Sequence, residues 1–160
     1  MQASRIFGLT LCLVKAGLTG LSGAATTFAT GSAIVASILG KAISRAAIAG
    51  GVTPTLDFVT GKPMALVANQ GMVIVWCVDA GGNVRLVAGS VETMSSGDFV
   101  TSYPLFPFIP DTLTPFAYTI HKAAANLAGT FTIGVSNWNT AGLTHTVTDV
   151  ISLPSRPQLA

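Results

Sequence analysis

The sequence predicts an all-β, mainly antiparallel fold: a β-sandwich or barrel with extended terminal arms and at most one or two short helices. Three observations predict it. Short β-branched or alternating apolar runs recur along the chain, separated by clusters of Gly, Asn, Asp and Pro. Helix formers at a 3.6-residue spacing are scarce, and the chain has a single Glu, Glu92. Residues 72–91 carry an unmistakable hairpin signal: an apolar run, a dense turn, and a returning strand. Residues 1–60 read as an N-terminal arm and first strands of the same domain, and residues 61–160 as the sandwich body with a C-terminal tail.

In chain order, residues 5–16 (RIFGLTLCLVKA) open with a basic residue and an apolar stretch that resembles the start of a targeting segment, but Lys15 interrupts it. The segment reads as either a short helix or a strand. Residues 16–40 carry no charge, yet Gly, Ser and Thr run throughout. That is too polar for a spanning helix, so strands and turns are expected and no membrane partner. Residues 38–49 (ILGKAISRAAIA) again allow helix or strand, because β-branched residues and Gly40 weaken the helix.

Residues 72–78 (MVIVWCV) form a continuous apolar run, which implies burial on both faces. Residues 79–83 (DAGGN) are the turn, and residues 84–91 return. A polar loop, TMSSGD, follows Glu92. Between Pro104 and Pro115 lie four prolines, a pattern that argues against both helix and a central strand. Leu105, Phe106, Phe108, Ile109 and Leu113 are interspersed there, so the expectation is an extended segment lying on the domain or on a neighbour. Residues 116–122, 130–135 and 143–151 alternate at the strand period, with a loop at 136–142 and a Pro-containing tail from 152.

Composition bears on function. Charged residues make up 9 % of the chain, against roughly 25 % in ordinary domains. Hydrophobic residues make up 50 %, and mean hydropathy is +0.65. A chain covered mainly by Thr, Ser, Asn and Gly, and so poor in charge, is expected to meet other protein chains, itself included, through apolar contacts. The net charge of +2 is scattered over isolated basic residues, which excludes an electrostatic nucleic-acid footprint. Cys12 and Cys77 sit in apolar runs and read as buried reduced thiols.

No catalytic constellation is visible, and the expectation is a protein that is not an enzyme and carries no metal or cofactor. Asp79, Glu92, Asp98 and Asp111 lie in or beside turns, where carboxylates bond local N–H groups. No nucleophile elbow, phosphate loop or dinucleotide fingerprint occurs. The sharpest chemical alternative is a three-ligand metal site from His121, His145 and Asp149, since strand pairing can join the histidines, and His145 and Asp149 share a face. Trp138, between two Asn in a loop, either closes one end of the core, anchors a subunit contact, or serves as a sugar platform.

The second half, residues 73–158, resembles small virion proteins of tailed bacteriophages that decorate or cement the capsid. The resemblance rests on VIVWCVDAGGNVRLVAGSV, on FPFIPDTLTPFAYTIHKA, and on TFTIGVSNWNTAGLTHTVTDVISLPSRP. It implies a compact, jelly-roll-like β-sandwich, and subunits that bridge major capsid proteins on the particle surface. It carries over no catalytic residue. Tail, fibre or baseplate components and carbohydrate-binding adhesins are the alternatives. Ile6, Phe7, Tyr103, Phe106, Phe108, Trp138, Leu153 and Arg156 are the candidate contact residues.

Overall fold

A computed structural model describes residues 10–100 and 102–158. Among them there is no helix. In order, the strands are β1 (Leu11–Cys12), β2 (Leu18–Thr19), β3 (Thr27–Thr30), β4 (Ile34–Ile38), β5 (Lys41–Arg45), β6 (Gly51–Val52), β7 (Ala65–Leu66), β8 (Gln70–Asp79), β9 (Val84–Ser95), β10 (Asp98–Phe99), β11 (Leu113–Ala123), β12 (Phe131–Thr132) and β13 (Leu143–Asp149). All pairings are antiparallel. The architecture is sandwich-like: a central sheet of order β10-β9-β8-β11-β13, with the small sheets β1-β4-β5, β2-β3-β6 and β12-β7 packed around it.

The uninterrupted apolar run of residues 72–78 becomes β8, buried on both faces within the chain itself. Its side chains alternate between two cores. Met72, Ile74, Trp76 and Val78 face a large core that includes Cys12, Leu18, Phe28, Ile34, Leu66, Phe131 and Trp138. That core joins residues of the N-terminal third to the body. Val73, Val75 and Cys77 face a smaller core with Leu113, Tyr118, Ile120 and Val150, against which Phe99, Phe106, Ile109 and Leu153 pack.

The turn chemistry explains where the sequence was ambiguous. Residues 38–49 hold no helix: β4 and β5 form a hairpin whose loop, Leu39 and Gly40, has φ of 49° and 79°. Two successive positive φ values are the type I′ geometry that matches strand twist. The expected polar loop after Glu92 is likewise a tight hairpin, β9 to β10, turning at Ser96 (φ 55°) and Gly97 (φ 85°). In the β8–β9 turn the Asp79 carboxylate accepts hydrogen bonds from the Gly81 and Asn83 N–H groups, both at 2.9 Å, and from Arg85 Nε at 3.0 Å. Arg45 Nη1 donates to the Gly82 carbonyl at 2.6 Å, tying β5 to that turn.

Two expectations need correction. Residues 130–135 do not form a full strand; pairing ends at Thr132, and the chain turns through Gly134 at φ 73°. Pro115 does lie in a central strand, because β11 sits between β8 and β13. The strand tolerates it at a bulge, where the register to β8 shifts between Pro115 and Ala117. The Leu113 N–H turns back to the Pro110 carbonyl at 2.9 Å, so by the two-residue period the Pro115 nitrogen also faces away from β8. The β13 ladder starts only at Ala117, so no ladder bond is lost.

Residues 103–113 form an extended strap over the smaller core. Gly89 makes the crossing possible: a Cβ there would fall 2.2 Å from the Leu105 carbonyl oxygen and 2.5 Å from Val73 Cγ1. Gly89→Ala is therefore expected to lower stability by about 1–3 kcal/mol through overpacking. Denaturant titration measures it, and an unchanged midpoint would mean that the strap is not seated as described.

Candidate contact surface and the histidine pair

Prolines fix the strap, and its underside anchors it. Phe106 packs edge-on against Tyr118 with ring centroids 5.0 Å apart, and Phe106 and Ile109 reach the smaller core. The Leu105 N–H donates to Ser90 Oγ at 3.3 Å. The outer side is apolar and open: Tyr103 is 57 % exposed, Leu105 64 % and Phe108 80 %. The tail lies alongside instead of projecting as a free arm. Leu153 packs on the smaller core, Pro157 is buried, and the Gln158 N–H donates to Tyr118 Oη at 2.9 Å. Strap and tail together frame a cleft of about 550 Å³, lined by Glu92, Ser102, Tyr103, Leu105, Arg156 and Gln158 among others. The Ser102 hydroxyl donates to the Glu92 carboxylate, and this bond, with one from Ser90, holds the Glu92 pKa below its usual value.

Of the expected contact residues, Tyr103, Phe108 and Arg156 are exposed on this surface, while Phe106 and Leu153 are half-buried and face inward. Ile6 and Phe7 lie outside the described residues. Trp138 is corrected: it is 2 % exposed, and its Nε1 donates to the Thr27 carbonyl at 2.8 Å. It closes the large core and offers no face to a subunit or a sugar. Sequence reasoning missed Leu105 as an outward residue; the strap keeps no strict alternation, since Phe106 turns inward and Phe108 outward, so no sequence period marked it.

The histidines meet as strand pairing allowed. His121 and His145 are directly opposed across β11 and β13, with ring centroids 5.7 Å apart. His121 is fully buried and stacks on Trp138 at 5.9 Å and on Phe131 at 6.2 Å. Trp76 Nε1 donates to Thr119 Oγ1 at 3.1 Å, and that oxygen lies 2.8 Å from His121 Nε2. Thr119 Oγ1 thus bridges the indole and the imidazole inside the core. The Nδ1 atoms of both histidines are buried without a hydrogen-bond partner. Asp149 does not join them: its Oδ1 accepts the Leu18 N–H at 2.8 Å. Among the described residues no three His, Cys, Asp or Glu side chains gather as a metal-ligand set.

Asp57, buried in the loop before β7, has a structural task. It accepts the Thr60 N–H at 2.8 Å, the Thr60 hydroxyl at 2.5 Å and the Ala88 N–H at 3.0 Å. Burial pushes its pKa up, and these hydrogen bonds outweigh that and hold it below the usual value. Cys12 and Cys77 are free and buried, and burial raises both thiol pKa values. No described helix is long and apolar enough to cross a membrane. Comparison with protein-family models, with curated proteins and with solved structures returned no match.

Burial, and secondarily the proximity of His145, depress the His121 pKa to about 3. Between there and about 6.5 the unfolded chain takes up a proton that the native chain refuses. Stability is therefore full above about pH 6.5 and falls by up to about 1.4 kcal/mol per pH unit below it. His121→Phe, which keeps the ring stack, is expected to flatten that slope in urea titrations between pH 6.5 and 4.5; an unaltered slope would assign the acid sensitivity elsewhere. Trp138→Ala is expected to cost about 3–5 kcal/mol in the same assay, as for a core residue.

Proposed function

We propose that this chain is a viral structural protein that decorates the capsid shell and stabilises it by bridging major capsid protein subunits. One observation carries the contact role: a pre-ordered strap leaves Tyr103, Leu105 and Phe108 exposed to solvent. Large apolar side chains clustered in the open mark a contact site, and an aromatic pair among them suits an interface anchor. Composition supports the same reading, because a charge content of 9 % suits a surface that is covered in the working state. The sequence resemblance of residues 73–158 supports the virion setting. The mechanism is adhesive: desolvation of the strap against capsid subunits, with no chemistry and no cofactor, and self-association of the subunits.

A tail or baseplate component would draw on the same composition and the same strap. Antibody labelling of purified particles separates the two, since decoration requires label over the shell and a tail component requires it on the tail. At the level of residues, Phe108→Ser combined with Leu105→Ser is expected to abolish recovery of the chain on particles while leaving its thermal transition within about 2 °C of the parent, because both side chains are outside the core. Undiminished particle association by that double variant would remove the strap from the contact.

A further inference from the structure

The central sheet treats its two edges differently. The β9 edge is guarded. The Phe58 N–H donates to the Leu86 carbonyl at 2.8 Å, the Asp57 carboxylate takes the Ala88 N–H, and β10 covers Met94 and Ser95. At the β13 edge the described residues provide no such cover. The Val150 N–H donates to the Phe116 carbonyl at 2.9 Å, and the Ala124 N–H to the Gly142 carbonyl at 2.8 Å. These two bonds fix the phase of the β11–β13 ladder: Thr144, Thr146 and Thr148 turn their backbone groups toward β11. His145 and Val147 turn theirs outward. The ends of this window are closed, by Leu143 N–H on the Thr140 carbonyl at 3.0 Å and by Asp149 on Leu18 N–H at 2.8 Å.

An open edge is ordinarily blunted by Lys, Pro or an inward charge. From Thr144 to Thr148 β13 has none of these. The geometry points to β13 as the self-association surface of this chain: two copies pair edge to edge, antiparallel, about a two-fold axis at Thr146. In that register His145 of each copy opposes Val147 of the other, and the two exchange N–H and C=O bonds directly. Asp149 opposes Leu143, so no like charges meet. Thr144 opposes Thr148, and Thr146 meets its own copy in a non-hydrogen-bonded pair. The central sheets of the two copies then form one continuous sheet. A second copy fits better than an unrelated strand because the window is neutral and complementary to itself. This inference rests on the self-association part of the proposed function and is independent of the virion setting.

The test uses the full chain. Thr146→Cys is placed where Cα atoms stand about 4.5 Å apart across the axis, within disulfide reach. Thr144→Cys is offset from its own copy by about 14 Å along the strand and is out of reach. Under mild oxidation T146C is expected to give a covalent dimer and T144C none; the native thiols, both buried, stay silent. Val147→Pro removes an outward N–H and leaves the β11 ladder intact, so sedimentation is expected to shift from dimer to single subunit. If V147P does not fold, the cysteine pair still decides. Oligomers that persist in V147P, with no T146C cross-link, would overturn the edge pairing and leave self-association standing. A parent chain that sediments as a single subunit would overturn both, whether its His145 and Val147 amides exchange freely with solvent or are protected by another part of the same chain.

Discussion

A ten-residue strand buried along nearly its whole length on both faces cannot be stable without a cover on each side, and the rest of this molecule supplies those covers. β8 puts Trp76 and its even-numbered neighbours into one core and Val75 and its odd-numbered neighbours into the other. The first cover is assembled from many short strands and turns of the N-terminal third, together with the loop that carries Trp138. The second is a single extended strap with the tail beside it. The asymmetry has a consequence: the thick cover is held by interlocking hairpins, whereas the thin one is one chain deep, so its outer side chains meet solvent directly. The apolar surface of Tyr103, Leu105 and Phe108 follows from having too little chain to cover that face twice.

The polar side chains serve the same constraint. Asp57 takes a backbone N–H that a sheet would otherwise leave unpaired, and Asp79 organises the β8–β9 turn. Asp149 holds the start of β2, and Thr119 joins Trp76 to His121. With so few charges in the chain, nearly every carboxylate near the core has a backbone duty. His121 and His145 are the exception in kind: their Nδ1 atoms account for two of the three buried side-chain polar atoms left without a partner among the described residues, the third being Thr53 Oγ1. Packing of the His121 imidazole against Phe131 and Trp138 is tolerated because its neutral ring is aromatic and desolvated at modest cost, and the same burial lowers its pKa.

Much of this was legible in the sequence, and for identifiable reasons. A continuous apolar run announced β8, the DAGGN turn announced its return as β9, and a period-two pattern announced β13, since burial on both faces writes a continuous run and burial on one face an alternation. The free, buried state of Cys12 and Cys77 followed from the apolar runs around them. What the pattern hid were features decided by backbone geometry. Leu39 at positive φ does not advertise a type I′ turn, and neither does Ser96 before Gly97. Pro115 argued against a central strand because a bulge and the short reach of β13 are tertiary facts. Trp138 looked open to three roles because a loop Trp reveals nothing of the Thr27 carbonyl that receives its N–H. The strap was readable as extended and half-buried, but which residues faced out depended on Phe106 finding Tyr118.

The prolines of the strap do more than exclude regular structure. By restricting φ at Pro104, Pro107 and Pro110, they reduce the freedom the segment has even when the chain is unfolded. A surface already fixed before encounter has no ordering step to complete on arrival, so collision frequency and orientation set how fast it attaches. How long it stays is then decided by how fully Phe108 loses its water, and residence time becomes a property that one side chain can tune without altering the rate of capture.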